Sequence, residues 1–208
     1  MTTKVTFKDA AVRQVSQLTQ RSFALLLVLI AAGCAPLEKR VNLTYQQSVS
    51  TTGGSGEVLI AEPVMKQDLA QLPSGKKIIG KAGDTDLIIS ESPAHWLRSA
   101  IRQELSAAGY DVKIVATLPA GVSKGVKAIL LSVSANQSSK VLTVVTVTEV
   151  RLEAELWKNG QLLKRLTASA RDQEEGVDRS SEPIRSALEK TLQRALQELV
   201  PDIVKSLN

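Results

Sequence analysis

The spacing of apolar positions changes three times along this chain. Residues 1–22 are polar and basic, and residues 23–32 (FALLLVLIAA) form an unbroken apolar run closed by Gly33 and Cys34. Ten helical residues span about 15 Å, roughly half the hydrocarbon core of a bilayer, so the run is too short for a transmembrane anchor. A basic start, a short apolar middle and small residues at its end are the three parts of an export signal. Residues 34–56 then carry QQSVSTTGGSG at 46–56, a polar, Gly/Ser-rich composition that predicts a flexible tether holding the rest away from a surface. A single folded domain is expected over 57–208.

Within that domain, residues 58–61 (VLIA), 76–79 (KKII) and 86–90 (DLIIS) have strand length, with Gly80 and Gly83 as turn formers between the last two. Ser92-Pro93 marks a helix start, a capping residue followed by a Pro where no N–H is needed. Leu97, Ile101, Leu105 and Ala108 recur at helical spacing, Trp96 and Ala100 widen the face, and Gly109 stops it. A short strand follows over 112–115, then two longer ones over 127–135 and 142–157, joined by a turn at 137–140.

In the later strand Val145 and Val147 share one parity, and Val150, Leu152, Ala154 and Leu156 the other. Side chains alternate strictly along a strand, so the change of phase predicts a bulge near Thr148-Glu149. Asn159-Gly160 is the strongest hairpin signal in the chain and leads into a last strand over 161–171. Ser181 and Pro183 open a C-terminal helix with the stripe Ile184, Leu188, Leu192, Ala195, Leu199, Ile203, Leu207; Pro201 is expected to kink it or detach its last turn. This order predicts an α+β fold: a largely antiparallel sheet with a long β-hairpin and two helices packed on one face.

Charge changes the picture less than it promises. The formal net charge is +5, but Lys4, Lys8, Arg13 and Arg21, with only Asp9 against them, precede Cys34. Without them 22 basic and 20 acidic residues remain, with the signs interspersed. Aromatic residues make up 3% of the chain, too few for a base-stacking platform. Nucleic acid is therefore dropped as a partner.

The sequence IAAGC at 30–34 resembles the bacterial lipobox, with Ala31 where Leu is more usual. The resemblance implies cleavage between Gly33 and Cys34 and attachment of a diacylglyceryl group to the Cys34 thiol, usually with a third acyl chain. Two or more chains hold a protein stably on a membrane, whereas one holds it marginally. Ala35-Pro36 lacks the Asp that would retain such a protein at the inner membrane, which implies the outer membrane with the domain facing the periplasm. The alternative, a buried free thiol after an ordinary signal, leaves the position of Cys34 at the end of the apolar run unexplained.

Candidate chemistry is thin. GVSKG at 121–125 spells a nucleophile-elbow string, but a Pro-containing loop precedes it and a strand is expected after it; His95, the only His, sits in another helix. GKKIIGKA at 75–82 fails as a phosphate loop at its final hydroxyl position. Asp84 and Asp86 read as a solvated turn, and Glu174 and Glu175 as a polar loop with Asp172 and Asp178. No catalytic residue, metal or cofactor is assigned, and no enzyme activity is expected.

The Cys34 lipobox, the strand at Val58 and residues 92–110 (SPAHWLRSAIRQELSAAGY) resemble the YajG-like family of bacterial lipoproteins, as do residues 143–158 with Asn159-Gly160. More distantly the chain is similar to auxiliary lipoproteins of envelope ABC lipid-transport systems. The expected function is a non-enzymatic, membrane-anchored envelope lipoprotein that binds another envelope protein or copies of itself. Its candidate interface residues are Trp157, Val150 and Leu152 on the long hairpin. The alternatives are an accessory lipoprotein of a lipid-transport system, which predicts an apolar concavity, and an envelope hydrolase.

Overall fold

The computed structural model describes residues 38–69, 76–89 and 91–208; the signal run, Gly33 and Cys34 lie outside the described residues. Among the described residues, eight strands form one sheet and two helices cover one of its faces. In chain order they are β1 (Glu38–Arg40), β2 (Glu57–Met65), β3 (Lys77–Ala82), β4 (Thr85–Ile89), α1 (Pro93–Ala107), β5 (Asp111–Val115), β6 (Lys124–Ser139), β7 (Val144–Lys158), β8 (Gln161–Gly176) and α2 (Glu182–Leu207).

β6 is the spine. β2 and β3 lie end to end along one side of it, both parallel to it: Leu59 faces Gly125 at one end, and Ala82 faces Gln137 at the other. β7 runs antiparallel along the whole of the other side, and β8 pairs antiparallel outside β7. β5 joins β2 in parallel, β4 joins β3 antiparallel, and β1 joins β4 in parallel. The expected α+β class and the two helices on one face hold, but the expected largely antiparallel sheet does not. The sheet is mixed, and four of these seven pairings are parallel. Parallel partners are joined by long crossovers rather than by hairpins, so no turn residue declares them.

The helices follow their stripes. α1 starts with Pro93 after Ser92 and stops at Gly109, whose φ of 109° is open to glycine. Every apolar stripe position of α2 named above is buried. The helix passes through Pro201 without losing its last turn. The carbonyl that Pro201 leaves without a donor belongs to Gln197, and both residues are exposed, so water can satisfy it.

The expected bulge at Thr148-Glu149 is absent. Every even-numbered residue of β7 from Val144 to Leu156 is buried, including Thr146 and Thr148. The phase of the strand is kept by hydrogen bonding rather than by hydrophobicity. Gln137 Nε2 donates to Thr146 Oγ1 at 3.2 Å, and the Thr148 hydroxyl sits 2.6 Å from that of Thr191 on α2. The irregularities lie elsewhere, between Leu130 and Ser132 on β6 and opposite the Leu156–Trp157 step of β7. The β7–β8 hairpin turns at Asn159 (φ 51°) and Gly160 (φ 76°), the two left-handed residues of a type I′ turn.

The expected tether is the largest correction. Val41, Leu43 and Val49 are buried in the main core, and residues 38–208 form one compact unit. Residues 41–56 have no regular secondary structure, so their backbone groups need partners outside the segment. The helices supply many of them. Trp96 Nε1 donates to the Thr44 carbonyl at 2.6 Å and Gln193 Nε2 to the Gln46 carbonyl at 2.8 Å, one bond to each helix. Thr44 Oγ1 reaches Glu189 on α2 at 2.8 Å. Gly54 N donates to the Ala108 carbonyl, and Asn208 Nδ2 to that of Gly53. The clamp is Glu104 of α1, which is 1% exposed. Its carboxylate accepts from Ser48 N at 2.8 Å, from Val49 N at 3.2 Å and from the Tyr45 hydroxyl. Polar composition had suggested a solvated linker; three apolar residues and one buried carboxylate make it a strap.

Three outcomes are expected. A Cβ at Gly80 would lie 1.6 Å from the Ala135 carbonyl oxygen, so Gly80→Ala should force β3 away from β6 and lower stability by about 2 kcal/mol in urea unfolding. Glu104→Ala leaves three donors without their acceptor and should cost about 3 kcal/mol, with new proteolytic cuts within residues 41–56. Burial, and then the bond to Glu104, hold the Tyr45 proton on well above its ordinary value of 10. The unfolded chain releases that proton near 10, so the contribution is complete below about pH 10 and declines as pH rises further. Tyr45→Phe should flatten this alkaline loss of urea stability.

Candidate functional site

The strict alternation of the long strands separates two faces. Even-numbered β7 residues lie under the helices, among them Val150 at 0% and Leu152 at 1% exposure. These two expected interface residues are therefore core, unavailable to a partner of the folded domain. The odd-numbered residues point to the other face, where charges cross the strands. Glu155 is paired with Arg165 at 3.0 Å and with Lys127 at 3.4 Å.

Trp157 belongs to that second face, and there the surface changes character. It lines a cleft of about 470 Å³ with Ala61 and Val64 of β2, Leu118 and Pro119 of the loop after β5, and Lys127 of β6. The loop forms one wall because the β7–β8 turn holds it. Asn159 N donates to the Ser123 carbonyl at 3.1 Å and Gly160 N to that of Val122 at 2.9 Å. A Cβ at Gly160 would lie 2.8 Å from the Gly121 backbone, so the two chains can approach only at a glycine. The hairpin signal in the sequence thus also fixes the wall of the cleft.

Two further features mark the cleft. Val64 is 47% exposed at its edge, and Leu162, the cross-strand partner of Trp157, is 40% exposed. Trp157 Nε1 is buried without a hydrogen-bond partner, one of two such side-chain atoms among the described residues. A buried unpaired N–H is destabilising by about 1–3 kcal/mol. Sequence pattern pointed to Trp157 but not to Val64, which reaches it through the parallel β2–β6 pairing, nor to Leu118 and Pro119, whose loop is held there by the β7–β8 turn.

The other singled-out residues are ordinary. Ser123 lies in the loop before β6, with no helix behind it. His95 is half exposed and 3.0 Å from Glu91 one turn earlier. Asp172, Glu174 and Glu175 are not in a loop, because β8 extends to Gly176; they pair with Arg194, Lys190 and Lys140 respectively. Among the described residues, no three His, Cys, Asp or Glu side chains gather closely enough to hold a metal, and no helix is long and apolar enough to cross a membrane.

A crystal structure of a Xanthomonas campestris protein of the DUF330 family superposes on this fold with a TM-score of 0.55 at 12% identity, covering 82% of this chain and 94% of that one. A likeness at that identity shows a shared fold alone. A lipoprotein from Neisseria meningitidis is looser, with a TM-score of 0.36 and 17% identity over 73% of this chain and 100% of that one. No curated protein matches the chain. The family profile described as "Uncharacterized lipoprotein" matches residues 74–204. That span holds α1, α2 as far as Val204 and all of β6, β7 and β8, and the chain belongs to this lipoprotein family, the YajG family.

Proposed function

We propose that this lipoprotein is a non-enzymatic binding protein, anchored by acylated Cys34 to the periplasmic face of the outer membrane, whose cleft around Trp157 docks an apolar segment of another envelope protein. The observation that carries the reading is the cleft itself, the place where the charged outer face of the sheet gives way to exposed apolar side chains. Its volume of about 470 Å³ falls within the usual range of about 300–1,000 Å³ for pockets that bind small groups, and a Trp at its edge is the residue type that most often dominates such contacts. The unpaired Trp157 Nε1 gives a partner's carbonyl a donor to meet once the ring turns. The cleft lies where β6 begins and β7 ends, and β1, which follows Cys34, lies at the other end of the sheet.

A second reading, an accessory lipoprotein of a lipid-transport system, rests on the same apolar lining, which an acyl chain could also occupy. The two readings separate on what leaves the cell with the protein. Full-length protein carrying a photo-crosslinking residue in place of Val64 should form a discrete crosslink to one envelope protein. Trp157→Ala should weaken that crosslink at least about tenfold while urea stability changes far less than with a core substitution. Lipid bound stoichiometrically in native mass spectra, with no protein crosslink, would favour the transport reading. Neither crosslink nor lipid would sink both.

A further inference from the structure

We propose that the end of the sheet nearest Cys34 is a membrane-contact face, and that the β6–β7 hairpin tip at Val141-Leu142 enters the lipid leaflet beside the acyl chains. This rests on the anchoring read above, and it concerns a different end of the molecule from the cleft.

Among the described residues, the three most exposed large apolar side chains are Val141 at 93%, Leu142 at 81% and Val177 at 78%. The topology brings all three to one end. Val141 and Leu142 lie between β6 and β7, and Val177 directly follows Gly176, the partner of Val144 at the start of β7. Lys140 N donates to the Thr143 carbonyl at 2.7 Å, and Thr143 Oγ1 and Lys140 Nζ both reach Glu175. The tip is therefore a tied turn that holds its two apolar side chains outward.

The same end receives the chain from Cys34. Ala82 of β3 pairs with Gln137 of β6, β4 starts beside it, and Glu38 of β1 pairs with Asp86 of β4. Lys39 Nζ closes the arrangement, donating to Gln137 Oε1 at 2.6 Å and to the Arg179 carbonyl. Four residue steps separate Cys34 from Glu38, a reach of at most about 14 Å. Three strand spacings from β1 to β6 add about 14 Å laterally. A thiol whose acyl chains lie in the leaflet thus keeps the start of β1 at the membrane surface, with the hairpin tip alongside. The strap removes the slack that a tether of some twenty residues would have given.

The occupant is a lipid leaflet rather than a charged surface. Two cations at this end are matched, Lys76 with Glu38 at 2.7 Å and Lys140 with Glu175 at 3.0 Å, whereas Lys81 and Arg179 have no ion pair with a described residue. Attraction of these last two to anionic headgroups is screened by salt, whereas burial of the apolar tip, which salt leaves in place, drives the contact.

The test uses the mature lipoprotein purified from membranes and reconstituted into vesicles of phosphatidylethanolamine and phosphatidylglycerol. Acylation uses the only native thiol, so Leu142→Cys and Gln161→Cys each accept a single environment-sensitive fluorophore, at the tip and at the far hairpin turn. Shallow spin-labelled lipid should quench the label at position 142 about threefold or more above that at 161, and high salt should leave the ratio unchanged. Val141→Asp should bring the ratio towards one while circular dichroism stays native. Equal quenching on a chain whose acylation is confirmed by mass would overturn the membrane contact and leave the anchoring intact. An unacylated Cys34 would overturn both. A blue shift that depends on protein concentration, without lipid quenching, would assign the tip to a second copy and equally overturn the proposal.

Discussion

A carboxylate taken almost wholly out of water has to be met by donors, and in this protein the donors that meet Glu104 come from the amino-terminal strap. Ser48 N, Val49 N and the Tyr45 hydroxyl converge on it, and each comes from a stretch without a strand or helix of its own. The dependence is mutual. The strap has few internal partners and needs the helices; Glu104, facing inward on α1, would be intolerable without the strap. Val41, Leu43 and Val49 then join the core that α1 and α2 share with the sheet. A segment with the composition of a linker becomes part of the domain, and the free chain between Cys34 and the fold shortens to a few residues.

The second constraint is the length of β6. Its sixteen residues leave room for two shorter strands end to end on one side, β2 and β3, while β7 runs its full length on the other. The even-numbered residues of β7 must then stay under α2 along the whole ladder. Where the sequence offers threonine instead of valine at 146 and 148, hydrogen bonds to Gln137 and Thr191 satisfy the hydroxyls. Register was held, and polarity was accommodated.

What could be read from sequence alone follows from how locally each feature is specified. The two helices, the Asn159-Gly160 turn and the class of the fold were legible because caps, stripes and turn residues act over a few positions. The direction of the strand pairings was not, since β2, β3 and β6 meet through crossovers that carry no signature. The strap was missed for a related reason: Val41, Leu43 and Val49 have no common period, and their burial depends on helices that come fifty to a hundred and fifty residues later. The bulge expected in β7 is absent because Thr146 and Thr148 keep the buried parity that apolar residues hold along the rest of the strand. At the cleft, Trp157 was visible but its neighbours were not, whereas Val150 and Leu152, attractive on the same strand, have the parity that places them under α2.

These constraints give the molecule two ends of different kind. Strands β1, β3, β6 and β8 bring the chain entry, the Val141-Leu142 tip and Val177 to one of them. The other carries the Asn159-Gly160 turn and the loop of Leu118 and Pro119, which together shape the cleft of Trp157. Between them run about fifteen residues of β6, some 50 Å of strand at about 3.3 Å per residue. A long soft tether would let such a domain tumble and present any face. Under the proposed anchoring at Cys34, a short one, fixed by the strap, would present the same end to the membrane each time and the cleft at a set height above it. On that proposal the buried carboxylate of Glu104 is connected to function through distance rather than through chemistry.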